Sequence, residues 1–239
     1  MIVRITIEGA ESEAERALLN QLADEASTIL RSAEFRANLL ALEAEYPEVF
    51  MRRGEPDVVL EQVARIVGGA SGASRYTPVT ITLVGRSGPE DQDYQWAGAG
   101  APLMPGQPAS IDLGRGILKE FEGADIVERS CAVNTMAHEL AHTISLSPYL
   151  FKMAFDDTKG NEDAIAGRSN HRTAVGSYLI GSVAQCTWLQ QKGRMPAWRV
   201  PGCVQVFGAR AFNNFRCTKF ASDKPIQLDA YLPRPADPL

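Results

Sequence analysis

Apolar residues in the first third of the chain recur at two different spacings. Residues 2–8 alternate apolar and polar side chains, which is typical of a half-buried strand. From Ser12 to Leu42 the apolar side chains recur every three or four positions, which predicts two helices, each with one buried face. A third helix is predicted to begin at residues 55–57 and to end at the glycine pair 68–69.

The middle of the chain changes to short stretches with strand character. Residues 79–85 are rich in β-branched side chains and alternate, so they form the clearest predicted strand. Shorter strands are predicted at 94–97 and 109–113, with a loop at the Gly- and Pro-containing residues 98–108 between them. Farther along, the apolar residues 173–189 predict a helix that contains no acidic residue.

The stretch 133–147 carries the most informative chemistry in the chain. No Gly or Pro interrupts it before Pro148, so it predicts a buried helix. It contains the pattern H-E-x-x-H, formed by His138, Glu139 and His142. Residues four apart lie on one face of a helix, so the two imidazoles can bind one Zn²⁺ and the glutamate can act as a base beside it. The chain has only 3 histidines, which makes an accidental match improbable.

At this motif the chain resembles the zincin metallopeptidases. The resemblance implies that His138 and His142 are zinc ligands and that Glu139 is the general base, in an enzyme that hydrolyses peptide bonds of a protein or peptide. It also implies an α+β fold in a single domain of two lobes. Residues 1 to about 145 would form an upper lobe with a small mixed sheet over the active-site helix, and residues 146–239 a helical and irregular lower lobe.

In the zincin architecture the edge strand of the sheet runs along the active-site cleft. The unpaired N–H and C=O groups of such a strand can bind an extended peptide by strand addition. Residues 109–113 and residues 94–99 are the two candidates for this edge strand.

A catalytic zinc site needs a third protein ligand, and the sequence does not follow the known extensions of the motif. Ser145 and Pro148 stand where one zincin group has glycine and a third histidine. His171 is the first choice because it is the only other histidine and precedes the apolar helix at 173–189. The alternatives are acidic residues in the preceding segment: Asp156, Asp157, Glu162 and Asp163.

Other side chains are candidates for supporting roles around the metal. Tyr178, two helical turns after His171, is a candidate to stabilise the oxyanion, with Arg172 and Tyr149 as alternatives. Thr143, or a residue around Asp156, is a candidate to hold a ligand imidazole in place.

Composition limits the function classes more loosely. Apolar residues make up 45% and charged residues 22%, which is ordinary for a globular domain with a sizeable core. The net charge of −5 argues against a nucleic acid or an anionic membrane as partner. No apolar run reaches the roughly 18–20 residues of a membrane span, and the N-terminus lacks the apolar core of a signal peptide. Either a cytoplasmic location or export without a cleaved signal is expected, and the oligomeric state stays open.

The 4 cysteines leave the setting and the rival functions open. Cys203 could pair with Cys217 across a short loop and Cys131 with Cys186 across the core, or all four could be reduced thiols. Disulfides would favour an exported toxin or effector protease over a cytoplasmic enzyme. Two further alternatives are a zinc amidase with a different amide substrate and a non-catalytic binding module with a degenerate motif.

Overall fold

The computed structural model describes residues 5–45, 63, 79–85, 97–100, 108–143 and 174–204. They form a mixed α+β fold. The strands are β1 (Ile5–Glu8), β2 (Val79–Val84), β3 (Ala97–Gly100) and β4 (Ala109–Gly114). The helices are α1 (Glu13–Leu30), α2 (Ala33–Glu45), α3 (Arg115–Glu122), α4 (Ile126–His142) and α5 (Ala174–Gln191), and a 3-10 helix (Ala197–Arg199) leads into helical residues 200–204. None of the described helices is both long and apolar enough to cross a membrane.

The small mixed sheet predicted from the sequence is confirmed. Its four strands lie in the order β1-β2-β4-β3; β1, β2 and β4 are parallel, and β3 is antiparallel to β4. Side chains alternate between faces along a strand, so the register brings Ile7, Ile81, Ile111 and Ala99 into one apolar row across the sheet. This row is part of the hydrophobic core. The residues before and after each of its members on the same strand point to the opposite face of the sheet and are at least partly exposed.

The edge of the sheet differs from the prediction. β3 covers residues 97–100, most of which had loop character in the sequence, and residues 109–113 lie inside the sheet between β2 and β3. Alternating Ala and Gly carry no strand propensity of their own, so pairing with β4 decides the conformation here. Of the two edge strands among the described strands, β1 and β3, β3 overlaps the later part of the second candidate, 94–99.

Helix α1 begins at the predicted residue for a local reason. The Ser12 side chain accepts a hydrogen bond from the Glu15 N–H at 3.1 Å, and the Glu15 carboxylate accepts one from the Glu11 N–H at 2.7 Å. These reciprocal bonds satisfy two backbone donors that would otherwise be unpaired at a helix start. The helix is thus specified at its N-terminus by residues close together in the chain.

The buried Arg115, at the start of α3, connects this helix start to the end of β4. Its Nε donates to Glu15 at 3.1 Å, its Nη2 donates to the carbonyl of Gly9 at 2.5 Å, and Glu11 lies 3.4 Å away. Gly9 has a φ of 71°, and a side chain there would lie 2.5 Å from the Leu83 carbonyl oxygen. The turn after β1 therefore needs glycine both for its backbone conformation and for its approach to β2.

The motif helix is longer at its start and shorter at its end than the sequence predicts. It begins at Ile126, where the Asp125 side chain accepts from the Val127 N–H at 2.7 Å, and it ends at His142. The Thr143 hydroxyl donates to the Leu140 carbonyl at 2.7 Å. This bond satisfies one of the last carbonyl groups of the helix.

Neither disulfide pairing considered from the sequence is correct. Cys186 is bonded to Cys203, with the Cα atoms 6.0 Å apart, and Cys131 is also disulfide-bonded. Helix α5 ends as predicted at Lys192 and Gly193, where Gly193 adopts a φ of 69°. After this turn the chain returns towards α5, and Cys203, which follows Cys186 by 17 residues, reaches it. The alternative of four reduced thiols is also wrong.

The contacts of Glu15 predict a pH-dependent contribution to stability. Burial works to raise the pKa of its carboxyl, but the bond from the Glu11 N–H and the charge of Arg115 outweigh it, and the pKa lies below the ordinary value of 4.5. A depressed pKa stabilises the fold above the unfolded-state pKa, and this contribution is lost as the pH falls through the folded-state pKa. Glu15→Gln should therefore lower the free energy of unfolding at pH 7 and make it less sensitive to acid below about pH 4.5.

Urea unfolding at pH 7 and pH 3 measures this difference. Glu13→Gln is the matched control, because the Glu13 side chain is in the same helical turn and is 92% exposed. An equal loss of stability for both variants at pH 7 would contradict the role given to the Arg115 contact.

Candidate metal centre

Helix α4 lies at the centre of the described structure. It packs against α1, α3, α5 and the edge strand β3. Its apolar residues Val133, Met136, Ala137, Leu140 and Ala141 are all buried. A helix surrounded in this way buries its polar side chains too, and His138, Glu139 and His142 are only 8%, 4% and 5% exposed. Burial of ionisable side chains costs free energy unless they are hydrogen-bonded, paired or bound to a metal ion.

The two histidines of α4 face each other through the same ring atom. The Nε2 atoms of His138 and His142 are 3.0 Å apart, with the ring planes at 84° to one another. Two imidazoles on one tetrahedral zinc, at the usual Zn–N distance, have their nitrogens about 3.3 Å apart. The observed Nε2–Nε2 separation is therefore within a few tenths of an ångström of the separation expected for two imidazoles on one metal ion, and the donor set fits zinc.

Glu139 completes the cluster. Its Oε1 is 3.9 Å from His138 Nε2, and the nearest ligand atoms of the three residues lie within 4.8 Å of one another. In the part of the chain that the structure describes, this is the one group of three His, Cys, Asp or Glu side chains close enough to hold a metal ion. A buried carboxylate next to two imidazoles can bind a metal or accept a proton.

Helix α5 runs antiparallel to α4 and covers the side of α4 that carries the histidines. The two helices lie close together at Gly181: a side chain added there would lie 3.2 Å from Cβ of His138 and would overlap the Asn134 carboxamide oxygen. Asn134 precedes His138 by four residues and therefore lies one turn away on the same face. The contact between the two helices thus includes a proposed ligand directly.

A chain of buried polar groups continues this contact away from the histidines. Asn134 donates to Gln185 Oε1 at 2.8 Å, Gln185 donates to the Ser130 hydroxyl at 2.9 Å, and Ser130 donates to the Val127 carbonyl at 2.7 Å. Each donor meets an acceptor, as buried polar groups require. Sequence reasoning did not identify Asn134, Gly181 or Gln185, although a polar residue in each of two apolar helices was a usable signal.

The remaining candidates for the third ligand and for the oxyanion donor fall partly or wholly outside the described residues. Tyr178 lies in α5 one turn before Gly181, and because the helices are antiparallel this turn is level with His138 and His142; its side chain is not described. Ser177, in the same turn, is fully buried. The other candidates lie outside the described residues: Tyr149, Asp156, Asp157, Glu162, Asp163, His171 and Arg172.

Comparison with known proteins gave no further guidance. No protein-family model, no curated protein and no solved structure matches this chain. The site is therefore interpreted from its own geometry.

The polar network between α4 and α5 predicts a specific loss of stability. Gln185→Leu removes the bonds of the amide to Asn134, Ser130 and the Cys131 sulfur, and it leaves the buried Asn134 and Ser130 without one partner each. The free energy of unfolding should fall by about 1–3 kcal/mol, as is usual when buried polar groups lose a partner. Urea unfolding at pH 7 measures it.

Gln191→Leu is the matched control, because Gln191 lies in the same helix but is exposed. Its effect should stay within about 0.5 kcal/mol. If both variants unfold at the same urea concentration, the network does not stabilise the helix pair.

Proposed function

We propose that the protein is a zinc-dependent hydrolase of peptide bonds with a zincin-like catalytic domain. One observation carries the proposal: the Nε2 atoms of two buried histidines, one helical turn apart, converge to 3.0 Å beside a buried glutamate. Both imidazoles present the same ring nitrogen to one point and a carboxylate lies beside them, which is the arrangement of ligands around a single metal ion. With a metal, the burial has a direct chemical reason.

The donor set favours zinc over other common ions. Ca²⁺ and Mg²⁺ take oxygen ligands, whereas imidazole nitrogens suit Zn²⁺ and other late transition metals. His138 and His142 would hold the ion through Nε2, and His171 remains the first choice for the third ligand, ahead of the acidic residues at 156–163. When bound, zinc would lower the pKa of a water molecule and polarise the carbonyl of the substrate.

Glu139 would move the proton. Its carboxylate lies next to His138, with Oε1 3.9 Å from Nε2, so it can reach a water molecule held between the imidazoles. It would accept a proton there and transfer it to the leaving amine, which is the role of a general base that then acts as a general acid. Its position within the buried helix limits the number of orientations open to the carboxylate. Tyr178, level with the histidines on α5, is the proposed oxyanion donor.

The edge strand supports a peptide as the substrate. β3 packs against α4 and pairs on one side with β4. An extended peptide that paired with the opposite side of β3 would run past the motif helix.

The disulfide favours one setting over the other. A bond between Cys186 and Cys203 is typical of an oxidising compartment and rare in the cytosol. This supports the alternative in which the hydrolase acts after export. An amidase with a non-peptide substrate would use the same residues, and a non-catalytic binding module is the outcome if no metal is bound.

Metal analysis tests the first step of the proposal. The purified protein should contain about one zinc per chain, the stoichiometry of a mononuclear catalytic site, and His138→Ala should lose it. Atomic emission spectroscopy after gel filtration measures the content. Thr135→Ala, a substitution in the same helix outside the cluster, should keep the metal. Wild-type protein that takes up no zinc from a zinc-containing buffer would contradict the enzyme proposal.

A second substitution separates metal binding from catalysis. Glu139→Gln should keep the zinc but hydrolyse a library of fluorogenic peptides about 10²–10⁴ times more slowly, because the amide cannot accept the proton. Initial rates on a peptide that the wild-type protein cleaves measure this. Full activity of the zinc-loaded variant would show that Glu139 is not the base.

A further inference from the structure

Gly181 is an unusual residue at its position in α5. A glycine inside a helix is less favourable than alanine by about 0.5–1 kcal/mol, because more backbone freedom is lost on folding. Its neighbours in the helix include apolar residues that are buried, such as Leu179, Ile180, Val183 and Ala184. A cost of this size in a buried helix needs a compensating contact.

The compensating contact is with the metal-binding face of α4. A Cβ at position 181 would overlap the Asn134 carboxamide oxygen, and it would lie 3.0 Å from the Asn134 carbonyl oxygen and 3.2 Å from Cβ of His138. Two of these three atoms, the Asn134 carbonyl oxygen and Cβ of His138, are held directly by the backbone of α4. They cannot move without moving α4.

Asn134 has little freedom to turn away from Gly181. Its amide group donates to Gln185 at 2.8 Å, and Gln185 is itself bonded to Ser130. Rotation of the Asn134 side chain would break a buried hydrogen bond and leave polar groups unsatisfied. The chain of bonds therefore holds the Asn134 oxygen against the Cα of Gly181.

We propose that Gly181 is a positioning residue of the metal centre. Its missing side chain lets α5 lie directly against Cβ of His138, and this contact, together with the Asn134–Gln185 bond, holds the His138 imidazole with Nε2 facing that of His142. The inference rests on the proposed metal-binding function and extends it to residues outside the motif. The sequence motif by itself sets only the spacing of the histidines along α4.

Gly181→Ala should therefore weaken metal binding. The added methyl group pushes α4 and α5 apart at His138 and changes the separation of the two ring nitrogens. Loss of an interaction that orients a metal ligand typically costs about 10- to 100-fold in metal affinity, and the same increase is expected in the zinc dissociation constant. Competition with a chromophoric zinc chelator measures it, and the visible absorption bands of the Co²⁺-loaded protein report the ligand geometry.

Two further variants distinguish positioning from general destabilisation. Asn38→Ala removes the buried bonds of Asn38 to Thr187 and Gln190, which join α2 to the part of α5 beyond the site. It should lower the unfolding temperature and leave zinc affinity within about twofold, since distant sites act independently. Gly181→Ala combined with Asn134→Ala removes the overlapping carboxamide, together with its bond to Gln185, but keeps the close contact with Cβ of His138, so the double variant should still bind zinc weakly.

The outcomes separate this inference from the function on which it rests. Wild-type protein that binds no zinc would contradict the proposed function. Wild-type protein that binds zinc, with unchanged affinity and unchanged Co²⁺ spectrum in Gly181→Ala, would overturn the positioning role alone. Recovery of wild-type affinity in the double variant would also overturn it, because the contact with His138 would then have no effect on the metal.

Discussion

Helices α4 and α5 run antiparallel and lie in close contact where Gly181 meets Asn134 and His138. Most of what the structure says about the candidate site depends on this contact. Both histidines belong to α4, which is buried on several sides. Its apolar residues do not form a single narrow stripe, so they do not fix the rotation of the helix about its own axis. This rotation is fixed by the close backbone contact at Gly181 and by the hydrogen bonds of Gln185, because buried amide groups need an arrangement in which each donor meets an acceptor.

The sheet contributes through its edge and not through its centre. The parallel strands β1, β2 and β4 supply one apolar face to the core, as their alternating sequences require. β3 is different: it is short, antiparallel and made only of alanine and glycine, and it lies against α4. Small side chains let the backbone of β3 approach the motif helix.

Two further contacts, away from the histidines, hold described segments of the chain together. Arg115 joins the end of β4 to the first turn of α1, and the Cys186–Cys203 bond connects α5 to the chain that follows it. Each contact joins residues that are separated in sequence, which the local hydrogen bonds of a helix or a strand cannot hold together.

The sequence by itself determined the features that depend on neighbouring residues. The H-E-x-x-H spacing placed His138 and His142 on one face of a helix, Ser12 marked a helix start, and residues 79–85 had the pattern of a strand. Only the tertiary structure decided the edge strand at 97–100, the helix at 115–122, the partner of Cys186 and the contact of Gly181 with His138. Alanine and glycine carry no propensity for a strand, eight residues give too few turns for a helical period, and a cysteine does not encode its partner. Each of these was settled by a segment distant in the chain, which the local pattern of side chains cannot specify.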